Sequence, residues 1–102
     1  MNIPNPNDAV AVAPHLHKVV IDNEKVRVLD VVVPPGSRAE MHNHPANVIV
    51  TIDGGVLYMT FPDGTSKEVT LESGAVSYSP GSEHIVENKS GSTVRVYQIE
   101  FK

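Results

Sequence analysis

His42 and His44 stand one residue apart in the segment Gly36-Ser37-Arg38-Ala39-Glu40-Met41-His42-Asn43-His44-Pro45. In extended backbone, residues i and i+2 point to one face and sit roughly 6.6 Å apart along the chain. Two imidazoles on one face can converge on one ion. A histidine from another strand can complete a three-nitrogen metal site, and His84 lies downstream in Pro80-Gly81-Ser82-Glu83-His84-Ile85-Val86-Glu87-Asn88.

Strands must position these rings, because helical periodicity is almost absent. Short runs rich in Val, Ile and Thr alternate with Gly, Pro, Asp and Asn, the pattern of an all-β chain. Strands are expected over residues 15–21, 25–33, 39–42, 48–52, 56–61, 66–71, 75–79, 83–87 and 93–101. Pro34-Pro35-Gly36 stops the second, since proline cannot donate to a ladder. Asp53-Gly54-Gly55 and Pro62-Asp63-Gly64-Thr65 read as tight hairpin turns. The run 48–52 is continuously apolar and reads as buried on both faces. Nine or ten short strands at this spacing suggest a sandwich or small barrel. Residues 1–14, with Pro4, Pro6 and Pro14, read as an extended N-terminal arm, and residues 15–102 as the folded domain.

The 102 residues fit one domain. No cysteine is present, which excludes a disulfide framework, a cysteine-ligated zinc finger and a thiol nucleophile. The net charge is −4 and the basic residues are scattered, which argues against nucleic acid, whose phosphates call for clustered Lys and Arg. No apolar run approaches the roughly 20 residues that span a bilayer. A cytoplasmic protein is the expectation. No Ser/His/Asp constellation, phosphate-binding glycine loop or dinucleotide fingerprint stands out.

The chain resembles the cupin superfamily over roughly residues 25–102. Gly36, five residues and His42-Asn43-His44 match the first half of the first cupin motif, and Gly55 falls at its closing glycine. Gly74, five residues, Pro80, His84, three residues and Asn88 resemble the second. Two departures stand out. The motif's glutamate falls on Val48 or Ile49, and the step from Pro80 to His84 is one residue short.

The resemblance implies a single-domain jelly-roll β-barrel, often dimeric, with one divalent transition metal held by His42, His44 and His84. Iron, zinc, nickel, copper, cobalt and manganese are all compatible with imidazole, so donor type does not select the metal. Three nitrogens leave positions open, as catalysis requires. Without the glutamate ligand, the ion keeps its full charge and attracts anionic ligands more strongly. Three-histidine sites of this kind occur in some dioxygenases of the family, including those acting on thiols and β-diketones. A dioxygenase-like enzyme for a small anionic or chelating organic molecule is therefore one reading. A non-catalytic cupin that binds a metabolite or metal, and a metal-free structural barrel, are the others. A homodimer formed through edge strands or the terminal arm is expected.

Several neighbours have plainer readings. His15 and His17 form a second His-x-His pair beside the arm and read as two exposed histidines. Glu40 shares the ligand face if its strand is regular, and reads as a solvated rim residue. Asn47 reads as a turn residue, Met41 as core, and Asn88 as a holder of the loop that positions His84. Tyr58, Tyr78 and Tyr97 read as packed rings with surface hydroxyls, and Arg27, Arg38 and Arg95 as surface charges.

Overall fold

Turn residues set the boundaries of nine strands, and these boundaries lie close to those expected. In the computed structural model, which describes residues 5–102, they are β1 (His17–Asp22), β2 (Val26–Val33), β3 (Arg38–His44), β4 (Asn47–Asp53), β5 (Gly55–Thr60), β6 (Ser66–Leu71), β7 (Val76–Ser79), β8 (Ser82–Glu87) and β9 (Val94–Phe101). They form two antiparallel sheets, a five-stranded one in the order β1-β2-β9-β4-β7 and a four-stranded one in the order β3-β8-β5-β6.

The core lies between the sheets. Alternation turns Leu29, Val31 and Val33 of β2 inward, with Val94 and Val96 of β9 beside them. Ala39, Leu57 and Val86 face them from the smaller sheet. Buried apolar area of this kind is the main force holding two such layers together.

Three expectations change. Asp53-Gly54-Gly55 is not a hairpin turn. β4 pairs with β9 and β7 while β5 pairs with β6 and β8, so the single residue between them, Gly54, carries the chain from one sheet to the other. Gly54 is required there because a Cβ would collide with the Leu71 carbonyl oxygen. Its N–H donates to Ser73 Oγ at 2.8 Å.

β4 is not buried on both faces. Asn47 and Thr51 are buried, whereas Val48 and Val50 are half-buried and Ile52 is exposed. A continuous apolar run marks a strand that contacts apolar groups on both sides, and among the described residues no layer covers the outer side.

The stretch 5–13 is not an extended arm, and residues 1–4 lie outside the described residues. Ala9–Val12 form one helical turn, α1, whose N-cap Asp8 accepts from Val10 N–H at 3.1 Å. Ala9 and Ala13 are fully buried, and Asp8 makes a parallel bridge to Asn43 of β3. Small alanine side chains let the turn sit directly on the barrel wall.

Among the described residues no helix is long and apolar enough to cross a membrane.

Candidate metal centre

β3 and β8 bring His42 and His84 into direct cross-strand register, with His44 opposite Ser82. A bulge makes this possible. Register shifts between Ala39 and His42, so Glu40 and Met41 together take up one step of the ladder. Strict alternation from Ala39 would turn Met41 inward. The bulge instead turns His42 and His44 inward, and both are buried. It also removes Glu40 from the ligand face. The Glu40 side chain is exposed and pairs with Arg38 at 2.7 Å, as a rim residue should.

A fourth histidine joins them. His17 opens β1 opposite Val31, whose side chain points inward, so His17 is buried rather than exposed. Its ring centroid lies 5.2 Å from that of His42 and 5.4 Å from that of His44. One ring nitrogen from each of His17, His42 and His44 lies within 4.8 Å of the others. His84 stands against this trio, its centroid 4.9 Å from His42 and 5.7 Å from His44. His15 is exposed, as expected, with Nε2 3.0 Å from the Arg38 carbonyl.

Each ring of the trio is oriented by its other nitrogen. His42 Nδ1 lies 2.6 Å from the Glu40 carbonyl oxygen and His17 Nδ1 lies 3.0 Å from the Ala13 carbonyl oxygen. A carbonyl only accepts, so both Nδ1 atoms carry the proton and both Nε2 atoms carry a lone pair. His44 Nδ1 donates to Glu100 Oε2 at 2.8 Å. Histidines that ligate metals characteristically donate their second nitrogen in this way.

Burial keeps the His17, His42 and His84 rings neutral. It pushes His17 down to about 4 and, with the unfavourable closeness of the neighbouring imidazoles as a smaller cause, pushes His84 down to about 3. Burial lowers His42 as well. Neutral imidazole is the form that binds a cation. His42 Nε2 is fully buried and has no hydrogen-bond partner among the described residues. An unpartnered buried acceptor costs about 1–3 kcal/mol, and a cation among the three nitrogens would offset that cost. The donor set therefore fits a divalent transition metal.

The carboxylate missing from the strand motif reappears one layer out. Glu100, on the inward face of β9 with Val94, Val96 and Gln98, is buried. It accepts from His44 and from Arg27 Nε at 2.7 Å. Arg27 in turn donates to both oxygens of Asp8, at 3.0 and 2.6 Å. Burial pushes the Asp8 carboxyl up, but the hydrogen bond and charge of Arg27 outweigh it and hold the group below its ordinary value. Asp8, Arg27, Glu100 and His44 thus form one line of alternating charge and donor, and Arg27 is an internal strut rather than a surface charge. An ion here would not keep its full charge as expected, because Glu100 faces it through His44.

Asn47 is fully buried rather than a plain turn residue. Its Nδ2 donates to the Pro45 carbonyl at 2.9 Å and its Oδ1 lies 3.4 Å from Gln98 Nε2. Asn88 holds the β8–β9 turn, as expected, donating to the Val33 and Ser92 carbonyls at 2.8 and 2.7 Å. Arg95 pairs with Asp30 at 2.9 Å, Tyr58 lies under Lys89 Nζ, 3.9 Å from its ring centroid, and Tyr78 is exposed.

All four histidines line one cavity between the sheets, with a volume of about 410 Å³. Apolar side chains, among them Leu57, Met59, Val69 and Leu71, make up much of the remaining wall. No carboxylate of the described residues lines it.

No family model and no curated protein matches the chain. Solved structures do. A cupin domain from Bordetella pertussis Tohama I is 35% identical, over 85% of this chain and 92% of that one, with a TM-score of 0.79. An RmlC-like cupin family protein with a double-stranded β-helix fold from Methanocaldococcus jannaschii is 16% identical, over 84% and 78%, with a TM-score of 0.65. The polyketide cyclase RemF from Streptomyces resistomycificus is 23% identical, over 83% and 63%, with a TM-score of 0.62. The last two likenesses concern the fold alone.

Proposed function

We propose a function for a chain that belongs to the cupin superfamily: it binds one divalent transition metal through the buried histidines and acts on a small chelating organic molecule. The observation that carries this is the unpartnered Nε2 of His42, set beside the lone pairs of His17 and His44. His84, in register with His42, completes the donor set. The metal's identity is open among iron, zinc, nickel, copper, cobalt and manganese.

A bound ion would supply Lewis acidity, or redox chemistry if it is iron. The chain's own residues supply the rest. Glu40, Ala13 and Glu100 fix the ring orientations, the apolar wall excludes water, and Gln98 offers an amide to whatever lies beside the rings. A dioxygenase-like reaction is the sharpest enzyme reading. A second reading is a receptor that holds its ligand without turnover. It is favoured by one observation, the lack of any carboxylate in the described cavity wall to serve as a general base.

Elemental analysis of untagged protein tests the metal. Roughly one equivalent after loading is expected; less than about a tenth with every metal tried removes the metal-dependent enzyme and leaves a metal-free receptor or a structural barrel. Oxygen uptake by the iron-loaded protein with a panel of chelating substrates then separates enzyme from receptor.

A homodimer is also proposed, through the outer face of the five-stranded sheet. Ile21, Val28, Ile99, Val48 and Tyr78 form one cross-strand apolar row over all five strands. Val76 and Tyr78 are 67% and 64% exposed. An apolar face of this extent marks an interaction surface, and a second copy presents the same face.

A further inference from the structure

We propose that the cavity takes a ligand with a single mono-anionic chelating head on an apolar body. This deepens the metal reading above and rests on it. Charge fixes the head. A divalent ion beside the Glu100 carboxylate leaves one net positive charge, because Arg27 and Asp8 cancel each other. One negative charge neutralises that site; a polyanion overshoots it.

Beyond the histidines, Asn47 and Gln98, the described wall offers a polyanion a few hydroxyl residues, among them Ser77, Ser79 and Ser82, and one cation. Lys67 is the single formally charged side chain among the described lining residues. It is exposed, and its Nζ lies 5.8 Å from the centroid of the Phe61 ring, so it sits against the rim rather than among the histidines. Asn47 donates one N–H to Pro45 and accepts from Gln98, and Gln98 keeps its Oε1 and second N–H for a head group.

Shape and wall chemistry fix the body. About 410 Å³ falls in the usual range for small-molecule sites. Leu57, Met59, Val69 and Leu71 offer no hydrogen bond to a polar body. Burying one there leaves its polar groups unpaired, which is costly. A hydrocarbon body gains from the same contacts.

A hydroxamate series isolates the two parts, because the monoanionic bidentate head stays constant while the tail grows. Titration of cobalt(II)-loaded protein from acetohydroxamate to hexanohydroxamate, followed in the cobalt visible spectrum with metal retention checked afterwards, is expected to show affinity rising by about fourfold per methylene. Malonate is expected to bind more weakly than hexanohydroxamate. Met59→Gln, nearly the same size, should flatten the series without changing metal stoichiometry. A flat series, or malonate binding more tightly than hexanohydroxamate, overturns the proposal.

If the protein holds no cobalt, the metal reading fails, and the cavity is then judged on metal-free protein with 1-hexanol. Methyl resonances of Leu57, Val69 and Leu71 are expected to shift on titration. No shift overturns the apolar-body assignment independently of the metal.

Discussion

His44 donates through Nδ1 to Glu100 Oε2 across 2.8 Å, although 56 residues separate them and both side chains are buried. That contact links the β3 ligand strand to β9 of the opposite sheet. It fixes which nitrogen of His44 faces the cavity and places a carboxylate directly behind a cation site. Glu100→Gln keeps the size of the side chain but removes its charge and turns an N–H₂ toward Arg27 or His44. Metal affinity is expected to fall by about 10–100-fold, as for other outer-layer partners of ligating histidines. Zinc competition with a chromophoric chelator reads this. Unchanged affinity would mean that His44 is not held for a metal.

His17 and His15 give an internal control. They lie two residues apart, yet one is buried in the histidine cluster and the other is exposed. His17→Ala is expected to reduce retained metal sharply, whereas His15→Ala leaves stoichiometry and affinity within about twofold, the behaviour of a surface substitution. Equal retention in the two variants would remove His17 from the ligand set.

Acid should unfold the metal-free protein through its histidines before its carboxylates. His17 and His84 are pushed from 6.5 to about 4 and about 3 in the folded chain, so between pH 6.5 and those values the unfolded chain binds more protons. Stability therefore rises with pH across this window and is lost as pH falls. The slope is about 1.4 kcal/mol per pH unit for each excess proton. Asp8 and Asp30 sit below their ordinary value of 3.8, so their contribution is lost only at lower pH. Thermal melts of chelator-treated protein between pH 7.5 and 4.5 test this. A Tm that stays level down to pH 4.5 would contradict neutral buried rings.

Asp8 caps α1 and braces Arg27. Asp8→Ala removes both roles. The loss of the cap alone costs about 0.5–2 kcal/mol, which lowers Tm by roughly 4–8 °C per kcal/mol in a domain of this size. Metal affinity should fall too, but less than in Glu100→Gln, because Arg27 still holds Glu100. Differential scanning calorimetry and the same zinc competition measure the two effects. A larger affinity loss for Asp8→Ala than for Glu100→Gln would reverse this order of coupling.

Val76→Lys places a charge on edge strand β7, at one end of the exposed apolar face, without touching the inner wall. Light scattering is expected to show a dimer for the parent chain and a monomer for the variant, with metal content unchanged. A monomeric parent at about 100 μM, well above the concentrations that stable interfaces need, rules the dimer out.

Some of the missed features had a signal in the sequence. Counting by two from Val94 and Val96 reaches Gln98 and Glu100, so a carboxylate on the inward face of the last strand was legible. Asp8 before Ala-Val-Ala-Val was likewise a possible helix cap. The bulge at Glu40 and Met41 had no such mark, because neither residue is a glycine and alternation alone predicts the wrong face.

The chain's own order of residues determined the strand class, the turn positions and the His42–His44 pair. These depend on neighbours one to four residues away: proline without a donor, glycine with a free φ, and side chains alternating with a period of two. What only the tertiary structure decided was which distant groups meet. His17 reaches the cluster because β1 pairs with β2 in the register that sets it opposite Val31, and Glu100 reaches His44 because the two sheets face each other. Strand register and sheet packing follow from burying the core as a whole, and no local run of residues encodes that sum.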